Sequence, residues 1–292
     1  MNAVIFGANG QDGHYLTEFC QSKNIETIGI SHSGDCIHAN VAQYKNVEKL
    51  IKEYKPTYIF HLAATSTTNH DALFENHQTI STGTFNILES VKIHSPSSKV
   101  FVTGSGVQFL NNGEPISENC PFEGNSPYSV SRIQSVYAAR YYRSLGMKVY
   151  VGYLFHHESP LRKSNHISQI IVHLAQQAAK ENNKTITLGD ISVQKEWTFA
   201  GDIVKGIFAL VEQDNIFEAI IGSGKTHSIQ DWLDTCFKII GKPWHNHVKL
   251  KENYTSEYKK LVSNPKLIHS LGWKPTVNLS QLARMMVEYK KS

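Results

Sequence analysis

Gly7-Ala-Asn-Gly-Gln-Asp-Gly13 joins two segments of opposite character. Before it, Asn2-Ala-Val-Ile-Phe6 is a short run of branched and aromatic side chains that reads as a buried strand. After it, residues 14–23 keep their apolar side chains on one helical face. A glycine-rich turn from strand to helix aims backbone N–H groups and the positive end of a helix at a phosphate. In such a turn Gly7 permits the tight bend, Gly10 lets a pyrophosphate approach the backbone, and Gly13 lets the helix pack close to the strand. Spaced glycines also occur in ordinary turns; the flanking strand and helix are what favour the dinucleotide reading. Gly7, Asn9, Gly10, Gln11, Asp12 and Gly13 are therefore candidate cofactor contacts.

Outward from this turn, strands and helices alternate. Strands are expected at 26–30, 56–62, 99–103 and 148–153, with helices at 44–54, 73–93 and 127–145. That order predicts an α/β fold with a doubly wound parallel sheet and ligands at the carboxyl ends of its strands. After Phe155 the pattern changes. Helices are expected at 164–180 and 202–211, a short extended piece at 185–188, and a further sheet strand at 217–221. Residues 1–155 are thus the expected dinucleotide-binding domain, with sheet additions from about 200–222. Residues 156–292 form a smaller C-terminal α/β lobe for substrate, interleaved with the sheet.

The bulk properties narrow the function. The chain has 292 residues, 40% hydrophobic and 18% charged, which suits a globular enzyme and not a disordered chain. A net charge of +4 with scattered Lys and Arg gives no basic patch for nucleic acid. No apolar run reaches membrane-spanning length, so no membrane partner is expected. The first strand starts directly after Met1, which leaves no room for a signal peptide, and a cytoplasmic location is expected. Cys20, Cys36, Cys120 and Cys236 show no paired short spacing, and His156-His157 has no recognisable third ligand, so no metal is expected.

The second expected strand ends in Ile30-Ser-His-Ser33, with Asp35 further on. An acidic residue at that end would hold the ribose 2′-hydroxyl of NAD. Ser31 and His32 can instead accept a 2′-phosphate, so NADP is expected with NAD as the alternative; His32 reads equally well as a solvated loop residue. Further on, Ser126-Pro-Tyr-Ser-Val-Ser-Arg132 opens a helix. Tyr128 and Arg132 are four apart and share a face. A phenol becomes an acid–base catalyst near neutrality when a cation stands beside it, and Arg132 is such a cation. Ser105, just past the fourth expected strand, can hold the oxygen of a carbonyl or alcohol. Ser223-Gly-Lys-Thr226 resembles the end of a phosphate loop but lacks its first glycine, so it reads as a turn.

These stretches, with His61-Leu-Ala-Ala64, Gly83-Thr84, Leu154-Phe-His-His-Glu-Ser-Pro160, Lys195-Glu-Trp197 and Leu271-Gly-Trp-Lys-Pro275, resemble the extended short-chain dehydrogenase/reductases, the NAD-dependent epimerase/dehydratase family. Within that family the chain is similar to the branch of GDP-mannose 4,6-dehydratase and GDP-4-keto-6-deoxymannose reductase. The resemblance implies a Rossmann sheet, a nicotinamide cofactor, a nucleotide-linked sugar and hydride exchange at sugar carbon 4. It implies Tyr128 as acid–base with Ser105 as partner and Arg132 in the place of a lysine. It adds Asn40, Leu62, Ala63 and Ala64 to the cofactor contacts, beside Ser31, His32, Tyr128 and Arg132. Val107, Gln108, His156, Glu158, Arg162, Lys195 and Trp197 are implied on the substrate side, Arg162 and Lys195 as cations for a diphosphate. It also implies a homodimer through the helices at 73–93 and 127–145.

The departures shape the expected activity. The family's Tyr-x-x-x-Lys ends in Arg132 here, and the dehydratases' glutamate two residues past the catalytic hydroxyl is Val107. The dehydratases' asparagine is His156, and an arginine expected near Tyr254-Thr-Ser-Glu257 is missing. Valine cannot move a proton, so reduction of a 4-keto sugar is the favoured reading. A 4,6-dehydratase or epimerase with relocated bases is the first alternative, with His157 and Glu158 as candidate bases if their loop folds back. A catalytically impaired cofactor-binding protein with a regulatory or assembly role is the second.

Overall fold

The computed structural model describes residues 1–181 and 184–290. In its first half, strand and helix alternate as β1 (Asn2–Phe6), α1 (Gln11–Ser22), β2 (Glu26–Ser31), β3 (Ile37–His38), α2 (Tyr44–Tyr54) and β4 (Tyr58–His61). Then come α3 (Leu73–Asn76), α4 (Gly83–His94), β5 (Lys99–Ser105), α5 (Pro127–Ser144) and β6 (Lys148–Leu154). The second half contains β7 (His157–Glu158), α6 (Ile167–Ala179), β8 (Ile186–Leu188), β9 (Gln194–Glu196), β10 (Thr198–Phe199), α7 (Ala200–Val211) and β11 (Glu218–Ile221). It ends with β12 (Thr226–Ser228), α8 (Ile229–Ile239), β13 (Val248–Leu250), α9 (Lys266–Ser270) and α10 (Leu279–Val287).

The central sheet is parallel throughout, in the order β11-β6-β5-β4-β1-β2-β3. This is a Rossmann arrangement, doubly wound outward from β1, with one extra strand beyond β6. Alternate residues of each strand serve opposite faces. Val4 and Phe6 pack with Val47, Leu88 and Val136 under α2, α4 and α5, while Ala3 and Ile5 pack with Leu16, Ile203 and Ile207 under α1 and α7. Burial on both faces explains the unbroken apolar runs in the sequence. The crevice outside the carboxyl ends of β1 and β4, where strand order reverses, is where such sheets bind ligands.

A third core holds the lobe together. Ile171 and Leu174 of α6, Trp232 and Phe237 of α8, and Leu282 and Met286 of α10 form its centre. β11 joins the sheet beside β6, and α7 packs on α1. The structure adds one return that the sequence pattern did not show: Ile268 and Trp273, near the end of the chain, are buried in the sheet-side core under α7. The lobe's short strands β7, β9, β10, β12 and β13 were also missed, because two or three residues carry no readable alternation. The single helix expected at 73–93 is interrupted by a π-helical stretch at His77–Thr82, which seats Ser81 against Ser131 and Gln134 of α5. Among the described residues no helix is long and apolar enough to cross a membrane.

Carboxylates fasten the parts. Asp202 accepts hydrogen bonds from Thr276 N at 2.7 Å and Val277 N at 2.9 Å, tying the late loop to α7. Glu118 accepts from Ile220 N at 2.9 Å on the outer edge of β11. Glu218 receives Arg140, Arg143 and the Tyr153 hydroxyl at 2.6–2.9 Å. Burial alone would raise the Glu218 carboxyl, but those three donors outweigh it and hold it down to about 2. A depressed folded value gives stability that is present above the unfolded carboxyl range and lost as pH falls toward 2. The stability advantage of the wild type over Glu218→Gln should therefore be up to about 3 kcal/mol near pH 6 and shrink steadily below about pH 5, as read by urea denaturation. An advantage independent of pH would remove this network from the account.

Candidate active site

The glycine turn has no room for side chains. Gly7 has φ +91°, and a Cβ there would lie 2.7 Å from Ala63 N, so the turn rests against the Leu62–Ala63 backbone beyond β4. A Cβ on Gly13 would meet the Gly7 carbonyl and sit 2.6 Å from Ala8 Cα. Gly10 is the N-cap of α1, and no side chain caps that end of the helix. The amides of its first turn therefore open into the crevice at the positive end of the dipole. A close-approach backbone cradle with uncapped amides fits the pyrophosphate of a nicotinamide dinucleotide, and the Leu62 and Ala63 backbone stands against it.

The neighbouring candidates divide. Asn9 donates to Ser33 Oγ at 3.0 Å, and Gly34 (φ +82°) lies directly against the Asn9 side chain. The loop beyond β2 is thereby drawn toward the glycine turn, with Ser31 at the strand end and His32 exposed. Asn40 uses its side chain to accept from Ala42 N at 2.9 Å, which shapes the turn before α2. The side chains of Gln11 and Asp12 turn away from the crevice: Gln11 accepts from Ser159 Oγ at 2.8 Å, and Asp12 meets His157 Nε2 at 2.9 Å. Only their backbone amides remain for a cofactor.

At the end of β5, Ser105 caps a 3-10 turn formed by Gly106–Gln108. Gln108 is fully buried, and its side-chain oxygen accepts from Ser105 N at 2.8 Å. Its side chain shapes the turn that carries Ser105. Val107 packs partly into the core beneath α5. Arg132 links strand and helix. Its Nη1 donates to Thr103 O at 2.6 Å, and its guanidinium carbon lies 5.1 Å from the centre of the Tyr128 ring. Only 2% of Arg132 is exposed. His61, at the end of β4, is also buried, and burial together with Arg132 pushes its imidazole down to about 4. Its neutral ring faces Gly83, where a Cβ would lie 3.3 Å from Nε2. His61 was quoted in the sequence only as part of a motif, and nothing in that pattern announced a neutral partner for Arg132.

On the lobe side a second group of charges meets. His156 contacts Glu196 O at 2.7 Å and Glu158 at 2.9 Å, and burial followed by Lys195 pushes it down to about 4. Burial alone would raise Glu158, but Arg162 and His156 outweigh it and hold this carboxylate well below its ordinary range. Glu158 is fully buried. Trp197 stacks on Trp232 with centroids 4.7 Å apart and donates to His227 O. Lys195 lies over the Trp197 ring at 5.2 Å, and burial pushes its ammonium down to about 8. The amides of Ser223 and Gly224, which a phosphate loop would leave open, instead hold the Glu196 carboxylate. Beyond this group a cleft is lined by Leu188, Asp190, Ile191, Val193, Tyr254 and Tyr258.

Residues 4–286 match the family model described as GDP-mannose 4,6 dehydratase. GDP-mannose 4,6 dehydratase 1 of Arabidopsis thaliana is 29% identical over 98% of this chain and 88% of its own length. The GDP-mannose 4,6 dehydratase of Homo sapiens is 26% identical over 98% and 90%. Two solved structures share the fold. RMD from Pseudomonas aeruginosa complexed with NADPH superposes with a TM-score of 0.86 at 18% identity, over 98% of this chain and 97% of that one. dTDP-glucose 4,6-dehydratase from Bacillus anthracis in complex with NAD gives 0.86 at 18%, over 99% and 96%.

The cradle geometry makes a direct prediction. Gly13→Ala should force α1 away from β1, lowering stability by about 1–3 kcal/mol and weakening dinucleotide binding by about tenfold or more, measured by calorimetry on the folded variant. Unchanged affinity would place the phosphates elsewhere.

Proposed function

The chain belongs to the GDP-mannose 4,6-dehydratase family, and on that premise we propose that it is an NADPH-dependent reductase of a 4-keto nucleotide sugar. Membership makes it a nucleotide-sugar enzyme of the dehydratase/epimerase type that works with a nicotinamide cofactor. The observation that carries the finer reading is Val107. It stands where a dehydratase needs a proton-moving group, and its turn is set by buried Gln108. Glu158 is a poor substitute, because it is buried and Arg162 and His156 hold its carboxyl well below its ordinary range, which makes it a weak proton acceptor. Reduction needs no such third group.

In this reading, the bound cofactor supplies the hydride to sugar carbon 4. Tyr128 gives its hydroxyl proton to the sugar oxygen, and Ser105 donates a hydrogen bond to the same oxygen. Arg132, held on Thr103 O, keeps positive charge beside the Tyr128 ring while that proton leaves. Arg162 and Lys195 bind the diphosphate, and the cleft under Tyr254 takes the nucleoside. NADP is favoured over NAD because β2 ends in Ser31, followed by His32, with no carboxylate at that end to repel a 2′-phosphate. The family description supports a second reading, 4,6-dehydration, with the proton moved by a group other than residue 107. Tyr128→Phe should lower the rate of NADPH oxidation with a 4-keto nucleotide sugar by about 10²–10⁴-fold while nucleotide binding persists. Unchanged turnover would remove Tyr128 as the acid.

We also propose a homodimer. Phe74, Phe85, Tyr137 and Tyr141 are 46–75% exposed on the helical face of α3, α4 and α5, and a groove between these helices runs from His77 to Tyr141. A second copy of this face would cover them, as the family resemblance implies. Light scattering should show a dimer that Tyr137→Glu converts to monomer; a wild-type monomer at micromolar concentration would contradict this.

A further inference from the structure

Asp12 presents a difficulty for the cofactor site. It stands in the first turn of α1, beside the amides that face the pyrophosphate. An uncompensated carboxylate there would repel the ligand that the helix end attracts. The lobe supplies the compensation. His157 Nε2 lies 2.9 Å from Asp12 Oδ1, and His157 Nδ1 lies 2.7 Å from Phe155 O. A carboxylate and a carbonyl oxygen both accept, so these two short contacts favour a ring that carries a proton on each nitrogen. Burial would lower its affinity for that second proton, but Asp12 outweighs the burial and raises it, against a smaller opposing effect from Arg162. Asp12 in turn is held below its ordinary range: burial would raise it, and His157 outweighs the burial.

The setting makes this pair more than a surface contact. The side chains of His157 and Asp12 are only 11% and 23% exposed. Next to them Ser159 Oγ donates to Gln11 Oε1 at 2.8 Å, so two successive residues of α1 grip two alternate residues of one extended segment. His157 and Ser159 face the helix. His156 and Glu158, on the other side of the same segment, face Arg162 and Trp197. We propose that His157 is a positioning residue of the cofactor site: supplied by the lobe, its cation neutralises Asp12 so that the N-terminus of α1 can accept a pyrophosphate. The inference rests on the nicotinamide-dinucleotide reading of the glycine turn.

A charge-compensating residue and a merely structural one respond differently to a second substitution. Removing the cation in His157→Gln leaves Asp12 bare and should weaken NADPH binding about tenfold or more, measured by calorimetry at pH 7. Removing the carboxylate as well, in Asp12→Asn/His157→Gln, should restore the affinity to within about threefold of wild type. If His157 acted only as a structural clasp, the double variant would bind no better than His157→Gln, and that result overturns the proposal. ¹⁵N shifts of the His157 ring give a check independent of any ligand. Both nitrogens should be protonated at pH 7 in the wild type, with the second proton lost in Asp12→Asn. A neutral wild-type ring overturns the proposal as well. Failure of the underlying reading looks different: wild-type protein would then bind neither NADPH nor NADH at millimolar concentration, and the assignment of the glycine turn would fall together with the role of His157.

Discussion

The Gly13 backbone lies against the Gly7 carbonyl with no space for a side chain between them, and most of the site follows from that contact. It fixes where α1 starts and how steeply it leaves β1. The first-turn amides consequently point into the crevice where strand order reverses, while the side chains of Gln11 and Asp12 point the other way, toward residues 157–159. A helix displaced by a methyl group would disturb both relations together. The cofactor cradle and the seating of the lobe on the sheet therefore depend on one backbone approach.

Much of the chain's ionisable equipment is used to hold this geometry and not to react. Glu196 gathers the amides of residues 223, 224 and 263; Asp202 gathers those of 276 and 277; Glu218 gathers two arginines and a tyrosine. Each buried carboxylate is tolerable because several donors share it. Arg132 follows the same pattern. Its guanidinium is planar, always charged and able to donate in several directions, so it can bind the Thr103 carbonyl and still lie over Tyr128. A lysine has one compact charge and could serve only one of these directions well. The Arg132 substitution thus reads as a rebuilt support for the tyrosine, with buried, neutral His61 as its neighbour.

The fold was legible because strong, repeated signals carried it. Apolar runs at the central strands, a helix after each, and glycines at the first turn specify a doubly wound sheet with little competition from other readings. What stayed hidden depended on contacts between distant segments. Trp273, near the end of the chain, returns to the sheet-side core against Gly206 of α7. Gln11 and Asp12 sit in a cofactor motif, yet their side chains reach residues 159 and 157. Gln108, Glu158 and Trp197 are implied on the substrate side by resemblance, and the pattern did not show that all three are buried. In the reverse direction, that residue 107 carries no proton-moving group is visible from one letter, because it concerns chemistry and not placement.

The central claim is that this site delivers a hydride to the sugar and does not eliminate water. The direct measurement is the fate of deuterium when the protein is given a GDP-4-keto-6-deoxy sugar and NADPH deuterated at nicotinamide carbon 4. The account predicts a reduced nucleotide sugar with one deuterium at carbon 4, found by mass spectrometry and placed by NMR. Absence of deuterium from that sugar, with the same preparation converting GDP-mannose to its 4-keto-6-deoxy product, would contradict it.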